Sequence, residues 1–247
     1  MDNFIIHLIS QAPMTTVTII IPVFNEEATI GPVIREVKAV KLPGLQKEII
    51  VVNDCSTDGT AKAIDGIPGI IRLHHRKNLG KGAAVRSGIA KMTGDIMAIQ
   101  DADLEYHPRE YKRLLEPILK GRCSVVYGSR FLKHRFKAFG KSRTILISHL
   151  FGNKFLSFLT KILYFTNVSD METGYKVFER SALAGIKLRS QRFDFEPEIT
   201  AKILKRGYKI CEVAIDYTPR TFSEGKKITW KDGLVAAWCL LKYRFID

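Results

Sequence analysis

"IMAIQDADLEYHP", residues 96–108, runs from an apolar segment straight into three acids, Asp101, Asp103 and Glu105, at alternating positions. The apolar half reads as a core strand buried on both faces, the kind found in parallel sheets covered by helices. Working outward, similar short β-branched runs recur as VTIIIP (17–22), EIIVVND (48–54), IIRLHH (70–75) and SVVYGS (124–129). Between them lie helical stretches at about 28–41, 58–65, 82–91 and 108–120, with Pro108 suited to a first turn and Gly44, Gly66, Gly94 and Gly121 near the stops. Strands alternating with helices imply an α/β protein with a mostly parallel sheet flanked by helices. Ligands of such sheets collect beyond the carboxyl ends of the strands, where residues 101–105 would lie.

On an extended strand, residues 101, 103 and 105 share one face, and two carboxylates about 6 Å apart repel by roughly 3 kcal/mol at an effective dielectric near 20. A divalent cation relieves that repulsion. All-oxygen carboxylate sets suit Mg²⁺ or Mn²⁺, and Mg²⁺ is often completed by substrate phosphates. Two other strand ends deliver polar groups to the same edge. "PVFNEE" brings Asn25, Glu26 and Glu27, whose acids also suit a helix start; "VVNDCSTDGT" brings Asp54, placed to accept from a nucleobase or ribose, and Asp58, which also suits a helix cap. "NLGKGAAVRSG" fits neither the P-loop nor the dinucleotide fingerprint. Gly80 and Gly82 fit a tight strand-to-helix turn, with Lys81 available to an anion.

The chain of 247 residues, 46% hydrophobic, is long enough to bury a substantial core. We expect a loose tail over 1–14, with no signal peptide, and one domain over 15–247. Cys55, Cys123, Cys211 and Cys239 are scattered without a C-x-x-C pair, which argues against a zinc knuckle or a disulfide framework and for a reducing cytosol. The net charge of +14 is concentrated: from Pro117 to Ser169 there is no acid, against ten Lys or Arg. Such a block attracts phosphates, whether of nucleic acid, lipid headgroups or a small substrate. Residues 144–165 and 230–245 are strongly apolar but interrupted, too broken to span a membrane. They pack inside the protein or lie on a membrane surface, and the cluster Phe151, Phe155, Phe158 and Phe165 favours the surface.

Together the segments "PVFNE", "VVNDCSTDGT", "NLGKGAAVRSG", "DADLEYHP", "GSR" (128–130), "DMETGYKVF" (170–178), "FEPEITAKILKRGYKI" and "PRTFSEGKKI" resemble the family-2 inverting glycosyltransferases of GT-A fold. The similarity is greatest to the dolichol-phosphate mannose and glucose synthase branch, from Val17 to about Gly233. The resemblance implies a Rossmann-like domain, with a nucleotide-sugar-binding half over 15–129 and an acceptor-binding half over 130–247. It places Pro22, Phe24, Glu26, Val52, Asp54, Lys81 and Ala102 at the donor, with Phe24 where the family often has tyrosine. Asp101 and Asp103 would hold Mg²⁺ or Mn²⁺, joined by Glu105 where relatives often carry glutamine. Arg130, Arg220 and Lys226 match basic positions that meet the donor diphosphate or acceptor phosphate, and Arg143 is a second acceptor clamp. Asp103, Arg130 and Arg220 stand as the catalytic set.

The implied reaction moves glucose or mannose from UDP-glucose or GDP-mannose to a dolichyl or undecaprenyl phosphate. A phosphate monoester, with a second pKa near 6, is already mostly dianionic at neutral pH and needs positioning, not a general base. In-line attack opposite the diphosphate inverts the anomeric centre. Glu196 and Glu198 in "FDFEPEI" orient sugar hydroxyls, open a helix, or point to a hydroxyl acceptor requiring a base. Three functions therefore stand: a lipid-phosphate hexosyltransferase peripheral to the cytoplasmic membrane face, a soluble glycan-directed relative, and a basic nucleic-acid-binding protein. The third has no use for the acids, and no nucleic-acid partner is expected. Donor sugar and oligomeric state are not legible.

Overall fold

The computed structural model describes residues 14–132, 147–220 and 230–246. A single seven-stranded sheet organises them, in the order β3-β2-β1-β4-β6-β5-β7. β1 (Thr16–Val23) pairs in parallel with β2 (Gln46–Asn53) and with β4 (Ile96–Ile99), and β2 pairs with β3 (Ile71–His74). β5 (Val125–Ser129) and β7 (Ile210–Ala214) run parallel to each other, while β6 (Lys176–Glu179) lies antiparallel between β4 and β5. The expected five strands are all present, and the sheet is mostly parallel.

The central strands are buried almost end to end because helices cover both faces. On one face pack α1 (Ile30–Ala39), α2 (Thr60–Asp65) and α4 (Tyr111–Leu119); α1 buries Ile30, Val33, Ile34 and Val37, spaced as one helical stripe. The opposite face is covered by α3 (Lys81–Lys91), α5 (Ile147–Tyr164), the short α6 (Arg180–Leu183), α7 (Phe195–Lys205) and α8 (Trp230–Phe245).

Topology builds one rim. Every parallel strand ends there, and the reversed strand β6 begins there, so the segment preceding it, Asp170 to Tyr175, arrives beside the ends of β1, β4 and β5.

Two expectations need correction. β4 stops at Ile99, and residues 101–105 form a turn in which Leu104 is left-handed at φ 62°, so the three acids do not share a strand face. Cys123 and Cys211 form a disulfide. Sequence spacing hides it because the pair is 88 residues apart, yet β7 lies directly beside β5 and Cys123 just precedes β5. Of the expected tail, residues 1–13 lie outside the described residues, as do Arg143 and Lys226.

Candidate active site

The loops after β1 and β2 are laced together. Asn25, left-handed at φ 53°, accepts from Thr57 N–H at 2.8 Å, and its own N–H donates to Ser56 Oγ at 3.0 Å. Asp58, just before α2, accepts from Thr60 N–H at 3.0 Å and from Glu27 N–H at 3.2 Å. Pro22 and Val52 face each other in adjacent strands beneath this rim, and Phe24 is half-buried on it.

Asp54, expected to accept from a nucleobase or ribose, has both carboxylate oxygens engaged by the chain itself. Nearly sealed from solvent, it receives Leu79 N–H (2.9 Å) and Gly80 N–H (2.6 Å), and pairs with His75 Nδ1 at 2.7 Å. It thus pins the turn into α3. Gly80 is required there: its φ is 93°, and a Cβ would overlap the Gln191 carbonyl.

The acid-bearing loop is anchored by Gln100, which is fully buried. Its carbonyl oxygen accepts from Tyr111 and Tyr175 hydroxyls at 2.7 Å each, and its amide donates to the Asp101 and Tyr106 carbonyls. Ala102 is buried within this loop. From the anchor the three acids diverge. Asp101 pairs with Lys81 Nζ at 2.8 Å. Asp103 accepts Glu105 N–H at 3.0 Å. Glu105 turns away, accepting the Tyr217 hydroxyl and Arg220 N–H at 2.7 Å each. Among the described residues no three His, Cys, Asp or Glu side chains stand together as a metal cradle, which corrects the expected three-acid set. Burial, and then the neighbouring Asp101 and Glu105 carboxylates, push the Asp103 carboxyl up to about 7. Asp101 and Asp103 remain a hard-oxygen pair of the kind Mg²⁺ or Mn²⁺ takes with phosphates, and a divalent charge would relieve what raises Asp103.

Arg220 closes the site from the chain beyond β7. Its guanidinium forms a two-pronged pair with Glu26 at 3.0 Å per arm, and its Nε donates to the Asp103 carbonyl at 2.8 Å. Arg220, expected to meet a diphosphate or phosphate, here joins the loops after β1 and β4 with Glu26 as its partner.

Lys81 also departs from expectation. Its ammonium is held between Asp101 and Glu196, both at 2.8 Å. Burial alone would depress Lys81, but the two carboxylates outweigh it and hold the lysine charged. Behind this bridge sits a cluster that motif reading did not assign: Glu172, Lys176 and Asp170. Glu196 Oε2 and Glu172 Oε1 are buried acceptors with no hydrogen-bond partner. Burial, and then Glu196, push Glu172 up to about 7. Lys176 is buried and lowered to about 8, its ammonium donating to the Met171 carbonyl at 2.8 Å. Orphaned acceptors at a polar rim suit hydroxyl donors. The signal was present in "DMETGYKVF", but an antiparallel strand start is not expected at a rim built from parallel strand ends.

Glu198 separates from Glu196 despite two-residue spacing. It is fully buried, pairs with Lys202 at 2.6 Å, and receives Arg189 N–H (2.9 Å) and Ser190 N–H (2.7 Å). Its role is structural. Arg130, at the end of β5, is clamped by Asp170 through Nε and Nη2 at 2.7 Å and lies 5.2 Å over the Tyr217 ring.

The profile of Glycosyl transferase family 2 matches residues 18–186. The uncharacterized protein MJ1222 of Methanocaldococcus jannaschii is 29% identical over 228 residues, covering 89% of each chain. Dolichyl-phosphate beta-glucosyltransferase ALG5C of Trichomonas vaginalis is 31% identical over 216 residues, covering 81% of this chain and 63% of that protein. Glucosyl-3-phosphoglycerate synthase of Mycobacterium tuberculosis, crystallised with Mn²⁺, UDP and glucosyl-3-phosphoglycerate, superposes with a TM-score of 0.69 at 21% identity, over 94% of this chain and 81% of that one. Its complex with Mg²⁺ and UDP gives 0.70. These structures share the GT-A-like, Rossmann-type fold with this chain.

Proposed function

This chain belongs to glycosyl transferase family 2, and from that premise we propose that it transfers a hexose from a nucleotide-sugar to a polyprenyl phosphate with inversion, using Mg²⁺ or Mn²⁺. The observation that carries the reading is the convergence of Asp101, Asp103 and Arg220 beside the orphaned Glu172 and Glu196 carboxylates at one rim. A glucosyl donor is favoured by the name of the Trichomonas relative, and UDP by the ligands of the mycobacterial enzyme. GDP-mannose remains the competing donor to include in any panel.

Asp101 and Asp103 would hold the cation, which when bound neutralises charge on the departing diphosphate. Arg220 exchanges its pairing with Glu26 for the diphosphate, and Lys226, outside the described residues, is the second basic group assigned to it. Glu196, held in place by its pairing with Lys81, and Glu172 accept hydrogen bonds from hexose hydroxyls and set the sugar's orientation. The acceptor phosphate attacks C1 from the face opposite the leaving diphosphate. Its oxygen forms the new C1–O bond as the C1–O bond to the diphosphate breaks. No side chain needs to remove a proton, since the acceptor is already dianionic. Arg143, outside the described residues, and Arg130, once freed from Asp170, are the groups we assign to the acceptor phosphate.

A second reading, transfer to a soluble hydroxyl acceptor, draws on Glu172, whose raised pKa suits a base. The mycobacterial enzyme, named for a phosphoglycerate product, keeps that reading in play. Incubation with UDP-glucose or GDP-mannose, Mn²⁺, and either a short polyprenyl phosphate or phosphoglycerate, with mass analysis of products, separates the two. A glycosylated polyprenyl phosphate supports the first reading. Product only on the soluble acceptor removes it.

A further inference from the structure

Helices α5 and α8 pack against each other and carry apolar side chains on both sides. Leu156, Ala236, Leu240 and Tyr243 face the core, and the Tyr164 hydroxyl donates to the Leu240 carbonyl at 2.7 Å, locking the pair. Their outward faces are equally apolar. α5 exposes Phe155, Phe158 and Ile162, followed by Phe165 at 87% exposure; α8 exposes Leu234, Val235, Leu241, Trp238 at 66% and Phe245 at 79%. At about 100° per residue, each set falls within an arc of about 120°.

Charge on these arcs has one sign. Lys154 and Lys161 fall on the margin of the α5 arc beside Phe158 and Phe165, and Lys242 falls inside the α8 arc between Trp238 and Val235. α5 contains no acid, and Asp232, the acid of α8, falls outside its arc. An exposed aromatic surface of this size on a folded protein marks a contact surface. Neither helix is long and apolar enough to cross a bilayer, so an apolar stripe with basic edges fits a helix lying in the interfacial plane.

We propose that the outward α5–α8 face seats this protein on an anionic phospholipid bilayer, aromatic side chains in the acyl boundary and the three lysines against headgroup phosphates. The inference deepens the lipid-acceptor reading of the preceding subsection, because it names the surface on which a polyprenyl phosphate is met. It also explains why the acid-free block runs through α5: carboxylates there would oppose the headgroups.

The test is co-sedimentation of the full chain with vesicles of phosphatidylcholine alone or mixed with phosphatidylglycerol, without donor or acceptor. Binding is expected on the mixed vesicles and is expected to weaken as salt rises. Phe158→Ser combined with Trp238→Ser is expected to lower the partition coefficient about tenfold or more, and these changes remove exposed apolar groups, leaving the core intact. Lys154→Gln, Lys161→Gln and Lys242→Gln together are expected to abolish the preference for anionic vesicles. Equal sedimentation of wild type and variants overturns the proposal, as does no binding to either vesicle. A dimer in sedimentation velocity that the aromatic double variant splits also overturns it, assigning the face to a second copy. Transfer to a short, water-soluble polyprenyl phosphate is measured alongside. Transfer without vesicle binding overturns the docking surface alone, and vesicle binding without transfer overturns the lipid-acceptor reading alone.

Discussion

Replacing Glu198 by alanine tests the division of labour between two acids that sequence reasoning treated as a pair. Removing its carboxylate leaves the Lys202 ammonium, whose side chain is 7% exposed, without its charged partner. Loss of one member of a buried ion pair costs about 3–5 kcal/mol. Lys202 retains the Lys187 carbonyl at 2.5 Å and the Tyr243 ring at 4.3 Å, which places it at the lower end. The Ser190 N–H, also buried, loses its acceptor at a further cost of about 1–3 kcal/mol. The sum, about 4–6 kcal/mol, is a large fraction of the 5–15 kcal/mol typical of a folded domain. Glu198→Gln keeps an acceptor oxygen and is expected to cost about half as much. Urea unfolding followed by circular dichroism reads the loss, and transfer activity is normalised to folded protein. Stability within about 1 kcal/mol of wild type, together with activity reduced a hundredfold, would refute the structural role and return Glu198 to the sugar.

Three further outcomes follow from the same geometry. Glu196→Gln, by contrast, is expected to leave unfolding within about 1–2 kcal/mol of wild type while raising KM for the nucleotide-sugar and lowering kcat, measured by initial rates. Glu172, with its folded pKa raised from 4.5 to about 7, holds a proton more tightly folded than unfolded, so its contribution is fully present below about 4.5 and is lost as pH rises through about 7. Glu172→Gln should therefore flatten the decline in stability across pH 4.5–7 in denaturation curves, and an unchanged slope would contradict the burial argument. Gly174→Ala places a Cβ against Asp101 Oδ2 and is expected to weaken Mn²⁺-dependent UDP binding, read by titration calorimetry, while Gly121→Ala, where nothing lies within 4 Å, changes only local backbone strain.

Much of this architecture was legible because parallel strands advertise themselves. β1, β2, β4 and β5 each carry a short β-branched or apolar run, and their carboxyl ends fix where the rim must be. The turn at Gly80 was legible for the same local reason. What escaped were contacts made by long-range closure. Asp101 and Lys81, Glu26 and Arg220, and Cys123 and Cys211 each join segments that only the sheet order brings together. Alternation in "DADLE" suggested a strand face, yet Leu104 takes a left-handed conformation and sends Glu105 toward Tyr217. Glu172 escaped because β6 runs backwards, so a strand start, instead of a strand end, delivers it to the rim.

The central claim is that Asp101 and Asp103 engage a divalent cation through which the donor diphosphate is held. Calorimetric titration of UDP into wild type and Asp103→Asn, each with Mn²⁺ and with a chelator, addresses it directly. The account predicts tight binding only for wild type with Mn²⁺, and a loss of about 3 kcal/mol, roughly a hundredfold in Kd, in each of the three other arms. Equal UDP affinity in all four arms would contradict it.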